Sequence, residues 1–145
     1  MKKLILTLIV FFYTLLFVGC MKNDVYRVDN IDETKLVKVY IYRPYTSFHS
    51  LNPEKPFFYI DDKYIGKLGV GRELVINVLP GDHTFTVKGS LMFMPGFEHG
   101  KIQLKIEEGK EYYLRYALTP VFMGTTVTGK TRFQAVNQEY FQSKQ

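Results

Sequence analysis

Past residue 35, apolar and polar side chains alternate in short runs, and each run predicts a strand with one face turned to a core. Lys35 to Arg43 is the first, with Val37, Val39 and Ile41 on one face and Lys38, Tyr40 and Tyr42 on the other. Pro44 ends it, and Tyr45 to Pro56 reads as a loop. Phe57 to Ile60 and Tyr64 to Leu68 form the arms of a hairpin. Its turn, Asp61-Asp62-Lys63, is built from residues that accept tight-turn backbone. After Gly69 and Gly71, Leu74, Ile76 and Val78 alternate with Glu73, Val75 and Asn77. Leu79 to His83 is a turn, in which Pro80 presets φ and Gly81 accepts a positive value. Phe85 and Val87 lie in the strand that follows.

From Gly89 to Gly100 the alternation breaks, and the stretch reads as a loop containing Leu91-Met92-Phe93-Met94-Pro95-Gly96-Phe97. Ile102 to Ile106 and Tyr112 to Leu118 make a second hairpin around Glu107-Glu108-Gly109-Lys110. Thr119 to Gly129 is again loop-like, with room for a short strand at Val121 to Met123. Lys130 to Val136 is a last strand anchored by Phe133, and Asn137 to Gln145 offers one or two helical turns docked through Tyr140 and Phe141. Seven or eight short strands at spacings of about 8 to 12 residues predict an all-β fold, a two-sheet β-sandwich with a short C-terminal helix. Abundant Tyr (11) and Phe (12) agree with that class. With a single cysteine the chain cannot form an internal disulfide, so the core alone must hold it.

The N-terminal residues follow a different pattern. Met1-Lys2-Lys3 precedes a run from Leu4 to Val18 that carries no charge, and Gly19 and Cys20 follow. A basic start, an apolar segment too short to cross a bilayer comfortably and a small residue at its end describe an export signal. Leu16-Phe17-Val18-Gly19-Cys20 resembles the bacterial lipobox, with Phe17 where leucine is usual. The resemblance implies cleavage before Cys20 and a diacylglyceryl group on its thiol. Residues 1–19 are then a signal peptide in helical form, 20–34 the acylated cysteine and a polar tether, and 35–145 the sandwich domain. Two or more acyl chains hold a protein at a membrane far better than one. Met21, where aspartate would retain a lipoprotein at the inner membrane, implies the outer membrane in a Gram-negative envelope.

The formal charge is +5, two units of which, Lys2 and Lys3, leave with the signal. The remaining basic residues are scattered, which argues for a solvated surface and against nucleic acid. Candidate chemistry is sparse. Asp61 and Asp62 supply too few oxygens for calcium and read as turn residues. His49, His83 and His99 show no metal-ligand spacing, so no metal and no cofactor is expected. Ser47, Ser50 and Ser90 lie in no nucleophile motif, and an enzyme is not expected. Arg43, Tyr40, Tyr42 and Tyr45 read as a solvated strand face, with a glycan or peptide patch as the alternative. The Met/Phe stretch, Met92, Phe93, Met94 and Phe97, with Phe122 and Met123 as candidate companions, is expected to fold back and plug one end of the sandwich. Its alternative role is an adaptable apolar contact for a partner or for lipid.

The segments Val39 to Pro44, Tyr59 to Leu68, Leu79 to His83 and Glu108 to Arg115 resemble a family of small bacterial lipoproteins that has no established activity. The middle part is loosely similar to PEGA-type surface domains. The resemblance covers Leu36 to about Val136 and implies an immunoglobulin-like or transthyretin-like sandwich. The function expected is that of a non-enzymatic envelope lipoprotein, membrane-bound through Cys20, that binds or scaffolds another envelope component such as a protein or glycan; the alternative is a lipoprotein that binds a small ligand or glycan at its aromatic loop ends.

Overall fold

A computed structural model describes residues 24–28, 33–45, 54–92 and 94–143. Residues 1–23, which carry the expected signal peptide and Cys20, and Ser47, His49, Ser50 and Phe93 lie outside the described residues. The fold is a two-sheet sandwich of eight strands: β1 (Val37–Arg43), β2 (Phe57–Ile60), β3 (Lys63–Lys67), β4 (Arg72–Val78), β5 (Gly81–Leu91), β6 (Met94–Ile106), β7 (Tyr112–Met123) and β8 (Thr126–Val136). One sheet has the order β4-β1-β7-β8 and the other β3-β2-β5-β6. Every pairing is antiparallel except β1 with β7.

The period of two in the sequence becomes the core directly. Val37, Val39 and Ile41 from β1, Val78 from β4 and Leu114 from β7 meet Phe58, Ile60, Phe85, Val87 and Ile106 of the facing sheet. Phe58 joins the sheets edge-on, its ring 5.9 Å from Tyr116 of β7 and 5.9 Å from Phe133 of β8. The turn between β2 and β3 holds Asp61 and Asp62 at φ of 48° and 63°, the left-handed pair a two-residue hairpin needs.

Two segments read as loops are strands. β5 and β6 continue almost to their shared tip, pairing Leu91 with Met94, and β7 and β8 run out to the pairing of Met123 with Thr126. Register shifts between Val87 and Lys88 and between Lys88 and Ser90 hide β5 from a strict alternation count. Beyond Ser90 and Leu118 the tip residues are exposed, so no buried face selects apolar side chains at every second position.

The β6 and β8 edges close one side of the sandwich. A Cβ on Gly100 would stand 2.8 Å from Phe133 Cβ, so only glycine lets these strands approach so closely. The short helix α1 (Gln138–Gln142) is capped by Asn137, whose side-chain oxygen accepts from the Tyr140 amide. It buries Phe141 against Tyr40, Tyr42 and Tyr113 on the outer face of the β1/β7 sheet. At the N-terminal side the tether region contributes to the fold: Val25 bridges Tyr64, and the Tyr26 amide donates to the Tyr64 carbonyl at 3.0 Å.

Candidate functional site: paired apolar tips over a polar floor

The two long hairpins end side by side. The Thr131 hydroxyl donates to the His99 carbonyl at 2.9 Å, tying β8 to β6. Both strands run in the same direction past that bond, since Gly100 faces Phe133 just beyond it. The Leu91–Met94 pair lies four β5 residues, about 13 Å, beyond the Val87–Gly100 pair, the register shifts absorbing the extra β6 residues, and Thr126 lies five residues, about 17 Å, before Thr131, so both tips project at the same end and the β7–β8 tip reaches further.

Each tip turns on a residue with positive φ, Met92 at 48° and Gly124 at 62°. Met92 and Phe97 are each 83% exposed and Phe122 74%; Leu91, Met94, Val121 and Met123 are exposed beside them. The described part of the Met/Phe stretch, Met92, Met94 and Phe97, therefore does not fold back to plug the sandwich. A tight turn between paired strands holds it outward, and the core below is already filled by Phe58, Phe85 and Val87. The set expected from the sequence, Met92, Phe93, Met94 and Phe97 with Phe122 and Met123 as companions, falls on two tips, and Val121 is the residue the structure adds to it. The pairing of both tips is a property of topology, since some thirty residues of chain separate them.

Beneath the tips the core ends in polar groups. Arg43, only 2% exposed, continues the inward face of β1, and its Nη1 donates to the carbonyls of Glu54 at 2.6 Å and Leu68 at 3.2 Å. Burial pushes the guanidinium below the usual arginine range, the nearby Tyr116 and Glu54 opposing that shift. His99 Nδ1 and the Tyr116 hydroxyl share a hydrogen bond of 2.9 Å, and the rings lie nearly parallel. Gly89 leaves the space His99 occupies, since a Cβ there would stand 2.3 Å from the imidazole. A cavity of about 30 Å³ remains among Arg43, Ser90, His99 and Tyr116. That volume holds about one water. Ser90 and His99 thus line the same small cavity.

The patch expected from Arg43, Tyr40, Tyr42 and Tyr45 is not assembled. Arg43 points between the sheets, Tyr40 and Tyr42 lie on the opposite face beneath Phe141, and Tyr45 is exposed alone at the strand end. Nor is that outer face fully solvated, because Tyr42 is buried. Asp61, a turn residue as expected, also accepts from the Thr84 amide at 2.9 Å and pairs with His83 Nδ1 at 2.6 Å. Among the described residues no three His, Cys, Asp or Glu side chains converge as a metal site would need.

Two tyrosines hold their protons unusually tightly. Burial pushes Tyr116 up to about 12, the Glu54 charge adding to it and Arg43 opposing it. The hydrogen bond to Glu111 Oε2, 2.6 Å, is the main reason Tyr113 also stands at about 12, with burial second. In the unfolded chain both ionise near pH 10. A proton held more tightly when folded stabilises the fold fully below about pH 10, and that contribution is lost as pH rises to about 12. Stability measured by denaturant titration is therefore expected to fall across that window, with a shallower fall in Tyr116→Phe. An unchanged slope in the variant would contradict a buried, proton-retaining Tyr116.

The fold and its exposed end define an all-β two-sheet sandwich that carries two apolar hairpin tips at one end. Over residues 33–130 the sequence matches the family described as "Protein of unknown function (DUF2846)", and the chain belongs to that family. No curated protein and no solved structure matches it.

Proposed function

We propose that the chain is a cell-envelope lipoprotein, acylated at Cys20, whose sandwich is a non-enzymatic module that binds or scaffolds another envelope component. In a Gram-negative envelope its place is the outer membrane, because Met21 follows Cys20. The observation that carries the reading is the pair of apolar tips. Seven large apolar side chains stand in solvent at one end of a domain that otherwise buries its core, and such exposure marks a contact surface. The chain enters the fold at the start of β3, the end of that strand away from the tips, which leaves them free for another component.

A glycan or small-ligand reading is less well supported. The larger cleft, about 280 Å³ beside Asp82, His83, Gln103 and Lys105, is open and has no Tyr or Phe in its lining on which a sugar ring could stack. The proposal is tested in intact cells with a photoreactive side chain placed at Phe122, at Met94, or at Lys110 at the other end of β7. Adducts formed from the first two positions and absent from the third are expected. Adducts from Lys110 alone, or from no position, would overturn the tips as the contact surface.

A further inference from the structure

We propose that the component met by the tips is a lipid bilayer bearing anionic headgroups, into which the β5–β6 and β7–β8 tips insert together. This rests on the proposed function only in taking the tips as the contact surface.

Three observations favour lipid over a protein groove. The apolar residues crown two projecting turns, a convex shape that fits a deformable medium. The turns are tight, with Leu91 paired to Met94 and Met123 to Thr126, so most tip backbone groups already have partners. Unpaired backbone polar groups are what bar irregular chain from hydrocarbon, and these tips carry few of them.

Charge is the third observation. The exposed ionic residues in the strands of these two hairpins are Lys101, Lys105, Lys130 and Arg132 against Asp82 and Glu98, and those nearest the tips are Glu98, Lys101, Lys130 and Arg132. Lys130 lies four residues, or about 13 Å, behind Thr126. With the tips buried about 5–10 Å past the headgroup boundary, its ammonium reaches the phosphate level. Arg132 and Lys101 lie further back and attract the anionic surface from outside the headgroup layer. Apolar burial and attraction to anionic lipid then act at one site, the combination that makes surface binding depend on lipid composition.

The test separates this inference from acylation. Residues 24–143 hold both sheets and the whole described core, so a chain beginning at Met21 keeps the fold without Cys20. It is mixed with vesicles of phosphatidylcholine alone or of phosphatidylcholine with phosphatidylglycerol. The sequence contains no tryptophan, so a Phe122→Trp variant reports from the tip and Tyr140→Trp from the outer face of the β1/β7 sheet beside Arg115, well behind the tips. Blue-shifted emission and quenching by brominated acyl chains are expected at position 122 with the anionic vesicles, and neither at 140. Met94→Ser/Phe122→Ser should lower partitioning at least tenfold. Lys130→Glu/Arg132→Glu should lower it about tenfold or more on anionic vesicles only. Both double variants change exposed residues, and unaltered melting shows that they fold.

No partitioning onto anionic vesicles, equal quenching at 122 and 140, or partitioning untouched by the tip substitutions would each overturn bilayer insertion. So would tip-dependent dimerisation without vesicles. If vesicle binding fails while tip adducts in cells are to one protein, the insertion is wrong and the proposed function stands. If no tip adducts form in cells, the proposed function itself fails.

Discussion

Phe58→Ala is expected to destabilise the domain by about 3–5 kcal/mol, the range for removing a fully buried aromatic ring. Phe58 is 1% exposed and its ring meets Tyr116 and Phe133 of the facing sheet, so the truncation opens a void between the layers. The chain has one cysteine, and no internal disulfide can offset the loss. The melting temperature should fall by on the order of 10 °C or more. Met92→Ala, at an exposed turn, serves as the control and should leave it nearly unchanged. Equal melting of the two variants would show that the sheets do not meet at Phe58.

Arg43→Ala is the second large effect, roughly 3 kcal/mol in denaturant unfolding. The substitution strips the buried Leu68 carbonyl and the half-buried Glu54 carbonyl of a charged donor, and a buried acceptor left without one costs about 1–3 kcal/mol, with the lost packing of the side chain adding to it. Arg43→Met should lose less, because the burial cost of the guanidinium disappears along with its hydrogen bonds. The order wild type, Met, Ala is the expected result. Wild-type stability in Arg43→Ala would mean that the polar floor does not close the tip end of the core.

Much of this architecture was legible in the alternation of residues. Val37, Val39 and Ile41 were read as one face and form the centre of the core, and Phe141 was read as the anchor of a short terminal helix. The Asp61-Asp62 turn announced itself through residues that accept positive φ. The hairpin ends were not legible in this way. Leu91, Met92 and Met94 are apolar without alternation because both faces of the ladder are exposed there, and the shifts near Lys88 and Ser90 break the count. Residue parity along β1 did contain the position of Arg43, two after Ile41 on the same face. Grouping it with Tyr40 and Tyr42 by chemistry set that geometric signal aside. The neighbours of Arg43 were beyond reach, since only strand order brings His99 and Tyr116 beneath the same end.

The proposed envelope location depends on the thiol of Cys20. The most direct measurement is the intact mass of the protein extracted from the membranes of its own cells, beside Cys20→Ala. The account predicts a mature chain that begins at Cys20 and carries a diacylglyceryl group, with no lipid on the variant. A chain recovered from the soluble fraction with Met1 in place and no added mass would contradict it.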